Sequence, residues 1–370
     1  MIGYPLLLRP RYDEKVWGGR RLETVLGKGL PLDAAVGESL ETGDAAVVRN
    51  GPLAGRTLGE LARLEGDALL GTRGRHASGD FGDFPLLVKF IDADDVLSLQ
   101  VHPDDQGALS LGKRGKTEAW YVVQAEPGAA LITGFVDEVT VDEVRAGIED
   151  GSLHRLLERR TVCAGDTLIV PAGTVHAIDA GILLYEIQQN SDVTFRLYDW
   201  GRLGLDGLPR DLHLDDALLA LVPGRRAAVT SALPISESRA VLTACRHFTL
   251  ERWTVDGTFA VPDAAGASCH LLSCVEGACE LRCGDGEPVR LERGETALVP
   301  ADVSGCVLDG RATVLDGWMA DLAADVVAPL LAAGHQAEAI ALLGGGTGDL
   351  LGPLAAAQRA HAVPRRHRVP

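Results

Sequence analysis

Between Leu97 and His102 the chain reads LSLQVH, with Leu97, Leu99 and Val101 alternating with Ser98, Gln100 and His102. A β-strand there sends the apolar set to one side and three polar side chains to the other, so three polar groups line one cavity. Further strands are predicted at FPLLVKFID (84–92), EAWYVV (118–123), TLIVPAGTVHAI (167–178), LLYEIQQ and VTFRLYDW. Before them, residues 4–50 read as short extended pieces and turns punctuated by Trp17-Gly18-Gly19, and a helix is predicted near 58–70. Thr140 with Glu143 forms a capping box ahead of VRAGIEDGSLHRLL, which predicts one or two helices interrupting the strands.

Residues 203–240 hold a helical LDDALLALV and then a Pro- and Ser-containing connector. Beyond it, FTLERWTV, CHLLSCV, ACELRC, EPVRLERG and TALVPADV are short strands with regular turn signals, the pattern of a second β-sandwich or barrel ending near Trp318. GDTLIVPAGTVHAI at 165–178 is echoed by GETALVPADVSGCV at 294–307, without a counterpart of His176. The second half thus reads as a degenerate duplicate that packs but binds no metal. After Ala320 the chain turns Ala- and Leu-rich with helical periodicity, broken by GGGTG at 344–348, which reads as a helix stop and not a phosphate loop because no Lys-Ser/Thr follows. The final PRRHRVP reads as disordered. The expected organisation is an N-terminal domain with helical insertions over 1–222, a connector over 223–240, a degenerate domain over 241–319 and a helical extension over 320–370.

The 370 residues suffice for about two domains, and 46% hydrophobic content supplies their cores. A formal charge of -17 argues against nucleic acid, whose affinity is carried by cationic phosphate contacts, and an anionic substrate needs a local basic pocket. MIGYPLLLRPRYDEK has charges close behind a short apolar run, unlike a signal peptide or membrane span, so a cytoplasmic location is expected. Seven cysteines without Cys-x-x-Cys pairs read as reduced thiols, and the four crowded between Cys269 and Cys283 as small core residues in preference to a zinc cluster. Only five lysines (15, 28, 89, 113, 116) stand against thirty arginines. Where Arg is the general cation, a retained Lys marks a position that wants a compact ammonium; Lys113 is assigned to the surface, while Lys89 and Lys116 are site candidates.

Gln100 and His102 on one strand, Glu118 at the start of another and His176 after the Pro171-Ala172-Gly173 turn could bind one divalent cation, with positions left open for substrate. In VTFRLYDW, strand alternation places Thr194, Arg196 and Tyr198 on one face; Glu186 lies on its own strand, and Lys116 shares parity with Glu118. Convergence of these faces would make a cavity with a metal, a carboxylate, an ammonium and a guanidinium, suited to a phosphorylated, hydroxylated substrate.

FPLLVKFIDA, LSLQVHPDD, GKTEAWYV, VPAGTVHAI and EIQQNSDVTFRLYDWGR, together with KVWGG and GESLETGD, resemble the type I mannose-6-phosphate isomerases of the cupin superfamily, particularly their short bacterial form. The resemblance is near continuous over 4–203 and thinner to about 318. It implies a mainly β fold of two cupin-type jelly-roll domains with helical insertions and a C-terminal helical extension. It further implies one zinc ion per chain on Gln100, His102, Glu118 and His176, a catalytic arginine at Arg196, active-site roles for Lys116 and Glu186, and substrate contacts at Ser98 and Lys89, with Tyr198 a further candidate from strand parity. The implied reaction interconverts mannose 6-phosphate and fructose 6-phosphate through an enediol, in a monomer or homodimer with no nucleic-acid or membrane partner. Whether Lys116 or Glu186 is the base stays open, although zinc and Arg196 nearby should lower the Lys116 pKa. Two departures stand out: Leu40 in GESLE replaces a common Trp, and the extension beyond 320 has no counterpart. An iron-dependent cupin dioxygenase and a non-catalytic sugar-phosphate-binding cupin are the alternatives, and no nucleotide fingerprint suggests a fused guanylyltransferase.

Overall fold

The computed structural model describes residues 2–362 other than 138 and 285. The tail PRRHRVP lies outside them. Two large antiparallel sheets form the frame. A seven-stranded sheet is built from Arg11–Gly19, Val36–Leu40, Leu86–Ala93, Glu118–Ala125, Thr167–Val170, Ile182–Gln189 and Ala228–Thr230. The nine-stranded sheet carries the strands after residue 233, dominated by the long Thr249–Ala260, His270–Cys283 and Cys306–Trp318.

Side-chain alternation explains how the two sheets meet. On Ile182–Gln189, Leu183, Tyr185 and Ile187 pack with Leu242, Leu250, Leu271, Leu298 and Leu315 of the second sheet, while Ile182 and Leu184 face the interior of the first barrel beside Trp120 and Leu168. Leu86, Val88 and Phe90 on the neighbouring strand follow the first set and Ile91 and Ala93 the second. Strands buried on both faces read as unbroken apolar runs, as FPLLVKFID does. The other wall of the first barrel is a three-stranded sheet (Ala130–Phe135, Leu157–Thr161, Ala177–Ile178) and a two-stranded one (Leu99–Val101, Phe195–Tyr198), joined by a bridge between Gln100 and His176.

The predicted domain boundaries are crossed in both directions. Leu6–Arg9 pairs with Thr296–Val299 and so belongs to the second sheet, whereas Ala228–Thr230, inside the expected connector, pairs with Thr167–Val170 of the first. A buried ion pair joins the halves: Lys28 Nζ lies 2.7 Å from Glu41 Oε1 and donates to the Gly294 carbonyl at 2.5 Å. Locally, the Thr140–Glu143 capping box is present and opens the helix Val141–Asp150. The helix expected near 58–70 is two, Leu58–Glu65 and Asp67–Ser78, separated at Gly66 with φ 50°. Among the described residues no helix is long and apolar enough to cross a membrane.

Two expectations about the second half need correction. Cys269, Cys274 and Cys279 are buried free thiols, as expected of core residues, but Cys283 and Cys306 are disulfide-bonded. They face each other in the antiparallel register, which sequence spacing did not reveal. The glycine run at 344–348 also does more than stop a helix. Gly345, at φ 51°, presses its backbone on the first barrel so closely that a Cβ would stand 1.9 Å from Ile169 Cγ2. Together with Thr243 Oγ1 donating to the Leu343 carbonyl at 2.7 Å and the Arg73–Asp325 ion pair at 2.7 Å, this straps the extension across both halves.

Gly345→Ala is therefore expected to lower unfolding free energy by about 1–3 kcal/mol through overpacking. Gly346→Ala, where a Cβ meets nothing within 4 Å, should cost only the backbone strain of about 1 kcal/mol. Urea titration of both variants checks the contrast, and equal losses would remove the close-approach explanation.

Candidate metal centre and active site

The strand register assembles the centre. The bridge between Gln100 and His176 consists of two 3.0 Å backbone hydrogen bonds, Gln100 N–H to the His176 carbonyl and the reverse. His102 follows two residues later. Glu118 opens its strand on the opposite wall, where it faces Gln188 and Val170. His102, Glu118 and His176 are all buried and offer ligand atoms within 4.8 Å of one another; among the described residues this is the one grouping of three or more His, Cys, Asp or Glu with metal-binding geometry. Gln100 lines the cavity above them.

The donor set suits a divalent ion. Nδ1 of His102 bonds the Val193 carbonyl at 2.8 Å and Nδ1 of His176 the Thr174 carbonyl at 2.9 Å. A carbonyl only accepts, so each Nδ1 carries the proton and each Nε2 keeps its lone pair for the centre. His176 Nε2 and Glu118 Oε1 are buried and face each other at 3.2 Å with no hydrogen-bond partner. Buried polar atoms left this way call for a cation. Burial and then the Lys116 ammonium push the His102 pKa well below 6.5, so the imidazole stays neutral. Burial would raise the Glu118 pKa, but Lys116, His176 and His102 outweigh it and hold the group well below the usual carboxylate range.

Lys116 Nζ stands 2.9 Å from His102 Nε2 and 2.8 Å from Glu118 Oε2. Glu186 Oε1 lies 3.0 Å from Lys89 Nζ, and its Oε2 accepts from Trp120 Nε1 at 2.9 Å. Lys89 also meets Glu38, which Lys15 approaches to 2.8 Å. For Lys89, burial lowers the pKa but Glu186 and Glu38 overcome it and raise it; for Glu38, burial raises the pKa but Lys89 and Lys15 bring it down to about 2. Lys89 is thus charge partner to two carboxylates. Arg196 pairs with Gln100 across the two-stranded ladder, and its Nη1 donates to the Asp211 carbonyl at 2.7 Å while Nε is buried without a partner. Burial and the neighbouring Arg210 lower its pKa, which leaves a guanidinium that gains from an anion.

Beside the His102–Glu118–His176 cluster lies a cavity of about 440 Å³, in the range of small-ligand sites, and Lys116 belongs to both, lining the cavity and reaching His102 and Glu118. Ser98, Gln100, Lys89, Lys116, Glu186 and Arg196 line the cavity. Tyr198 does not. A register shift between Arg196 and Tyr198 breaks the alternation, and the ring packs edge-on against Trp200 at 5.2 Å. Sequence reasoning also missed Arg11, Lys15, Glu38, Asp192 and Arg210 on the cavity wall. Lys15 and Glu38 sat inside the KVWGG and GESLETGD motifs, which was a usable signal. Arg210 comes from a loop and is held by Asp199, whose Oδ2 accepts from Arg210 Nε at 2.7 Å, and no pattern announced it. Six cations against four carboxylates line the cavity wall of a chain that is otherwise strongly acidic, which meets the requirement for a basic pocket.

The second barrel repeats the row with other charges. Val299 faces His270 as Val170 faces Glu118. By the same ladders Asp316 takes the place of Glu186, Glu251 that of Lys89, and Arg239 that of Glu38. His270 Nδ1 lies 2.9 Å from Asp316 Oδ2, and Arg239 Nη2 lies 2.8 Å from Glu251 Oε2, so this row largely neutralises itself.

Residues 6–135 match the family model for the catalytic domain of type I phosphomannose isomerase, and residues 238–316 match that for the cupin domain of mannose-6-phosphate isomerase. The mannose-6-phosphate isomerase of Streptococcus mutans is 35% identical over 318 residues, which is 84% of this chain and 97% of the relative. The crystal structure of the Bacillus subtilis mannose 6-phosphate isomerase superposes with a TM-score of 0.75 at 31% identity, covering 85% of this chain and 99% of that one. The Salmonella typhimurium phosphomannose isomerase, at 16% identity and TM-score 0.68, shares the fold. With both family models matched in order, and relatives matched over nearly their whole length, the chain belongs to the type I mannose-6-phosphate isomerases of the cupin class.

Proposed function

We propose that this chain interconverts mannose 6-phosphate and fructose 6-phosphate with one zinc ion held by His102, Glu118, His176 and Gln100. One observation carries the reading: Lys116, which lines the cavity with Glu186 and Arg196, stands 2.9 Å from His102 Nε2 and 2.8 Å from Glu118 Oε2 of the buried His102–Glu118–His176 cluster. Two imidazoles, a carboxylate and an amide oxygen suit zinc, which would supply a Lewis acid for the sugar oxygens. The compartment we assign is the cytoplasm, where sugar phosphates are handled.

Aldose–ketose isomerisation shifts a proton between C1 and C2 through an enediol. The residues divide this work by position. Arg196, with Arg210 behind it, opposes negative charge on the substrate, and its unpartnered Nε is a donor waiting for an oxygen. Lys116 at the floor and Glu186 on the wall are the two groups able to carry the proton, and we assign them a shared role. Glu186 is kept in place by Trp120 and Lys89, so its carboxylate presents a fixed edge to the sugar. Ser98, just ahead of the strand Leu99–Val101, is a hydroxyl contact for the substrate.

Fructose 6-phosphate formation from mannose 6-phosphate is expected to vanish on chelation and return with zinc. Arg196→Ala should retain the metal and lose about 100-fold or more in kcat, the scale of one lost electrostatic donor; undiminished turnover would remove Arg196 from the chemistry.

The Lys116 ammonium occupies lone pairs that a divalent ion needs, so Lys116→Met should bind metal about ten-fold more tightly while losing turnover. Chelator competition measures this, and unchanged affinity would contradict the competition.

For the metal-free protein, His102 is held neutral below its ordinary 6.5 while the unfolded chain takes up a proton there. Folded stability should therefore fall as pH drops through about 6.5, because the unfolded state binds more protons. His102→Asn should flatten that slope in urea unfolding at pH 7.5 and 5.5, and an unaltered slope would refute the assignment.

A further inference from the structure

Lys116 sits on a loop, yet its neighbours' backbone amides are held by two side chains from elsewhere in the fold. The Gly115 N–H donates to Asp105 Oδ1 at 2.9 Å, and the Thr117 N–H donates to Gln189 Oε1 at 3.0 Å. Gln189 Nε2 in turn donates to the same Asp105 oxygen at 2.9 Å. The intervening Lys116 N–H donates to the Pro103 carbonyl at 3.0 Å. Three successive amides are thereby fixed, two of them by side chains that are bonded to each other.

Each part has a reason to be where it is. Gln189 is 5% exposed and ends the strand Ile182–Gln189, the same strand that carries Glu186. Asp105 opens the short helix after His102 and Pro103. Gly115 is required between them, because a Cβ would stand 2.4 Å from the Asp105 nitrogen and 2.5 Å from the Asp104 carbonyl carbon. The loop upstream is anchored separately, by Arg114 on Asp83 and on the Ser78 carbonyl. Neither Asp105 nor Gln189 lines the active-site cavity; both border a different cleft with Arg246 and His247.

We infer that Gln189 and Asp105 are positioning residues for Lys116: together they hold the loop so that the ammonium stays on the floor of the cavity, in register with Glu118 and Glu186. This rests on the proposed role of Lys116 in proton transfer. The physical basis is that a proton carrier displaced by about 1 Å can lose 10- to 100-fold in rate with little change in substrate binding. Hydrogen-bond acceptance is what the Asp105 oxygen supplies, so an amide oxygen of the same shape can replace it.

The test compares Asp105→Ala, Asp105→Asn and Gln189→Ala in the full-length, zinc-loaded protein. Asp105→Ala and Gln189→Ala should each lower kcat about ten-fold at KM within about two-fold of the parent and unchanged metal content. Hydrogen exchange of the 115–117 amides should rise in both. Asp105→Asn should restore kcat and protection together, and the double variant should lose little beyond either single one, as expected of residues acting as a unit. Faster exchange with unchanged kcat, or lowered kcat with unchanged exchange, overturns the inference. Failure of the underlying reading is separate: if Lys116→Met keeps full turnover, Lys116 is no proton carrier, whatever the exchange data report.

Discussion

Antiparallel register is the constraint on which the rest depends. Gln100 meets His176 across a bridge, Arg196 meets Gln100, Glu118 meets Gln188, and Glu186 meets Lys89. Because side chains alternate with period two, a slip of one residue in any ladder would send its functional group into the apolar core behind its strand and an aliphatic side chain towards the site. The core enforces the register from its other side: Ala119, Tyr121, Ile187, Tyr185, Val88 and Phe90 interleave with the site residues and are buried against the second sheet. Packing between the halves and geometry of the metal centre are therefore one problem, solved by the same strands.

Duplication shows what that frame permits. Both barrels place four polar residues in the same ladder positions, Glu38, Lys89, Glu186 and Glu118 in one and Arg239, Glu251, Asp316 and His270 in the other. In the first, the carboxylate of Glu118 faces two imidazole nitrogens and the Lys116 ammonium, and its Oε1 is left opposite the His176 Nε2 lone pair. In the second, the Glu118 position holds a histidine that pairs with Asp316, and the His176 position in the echoed segment is Gly305. Two acceptors facing each other call for a cation between them; a histidine on an aspartate does not. Exchanging a few ladder residues turns a ligand-binding row into an internally paired one without altering the fold.

Much of this was legible because the chemistry lay on strands. The alternation of Leu99 and Val101 with Gln100, the capping box at Thr140, and the parity of Lys116 with Glu118 translate directly into geometry, whereas Leu97 falls outside the strand and lines the cavity that His102 does not reach. Tyr198 failed because a bulge has no signature in residue order. Arg210 was invisible because its position depends on an ion pair with Asp199 in an irregular segment. The first strand's membership in the second sheet, and the Cys283–Cys306 pairing, are long-range register facts that a local pattern does not contain. Leu40 borders the cavity opposite Lys89.

Lysine scarcity turned out to be informative in a way residue counting alone does not explain. Lys113, assigned to the surface, is indeed exposed and paired with Asp192 at 2.8 Å. The others are set among carboxylates: Lys28 on Glu41, Lys15 and Lys89 on Glu38, Lys116 on Glu118. A guanidinium in the Lys116 position would need space for a planar fork, whereas an ammonium is compact enough to meet His102 and Glu118 together. At Lys89, one point charge serves two carboxylates approaching from different strands, which a fork aimed at one of them would not do as well. In a chain that otherwise uses arginine throughout, the cation chosen at each place follows from how many acceptors surround it and from the space they leave.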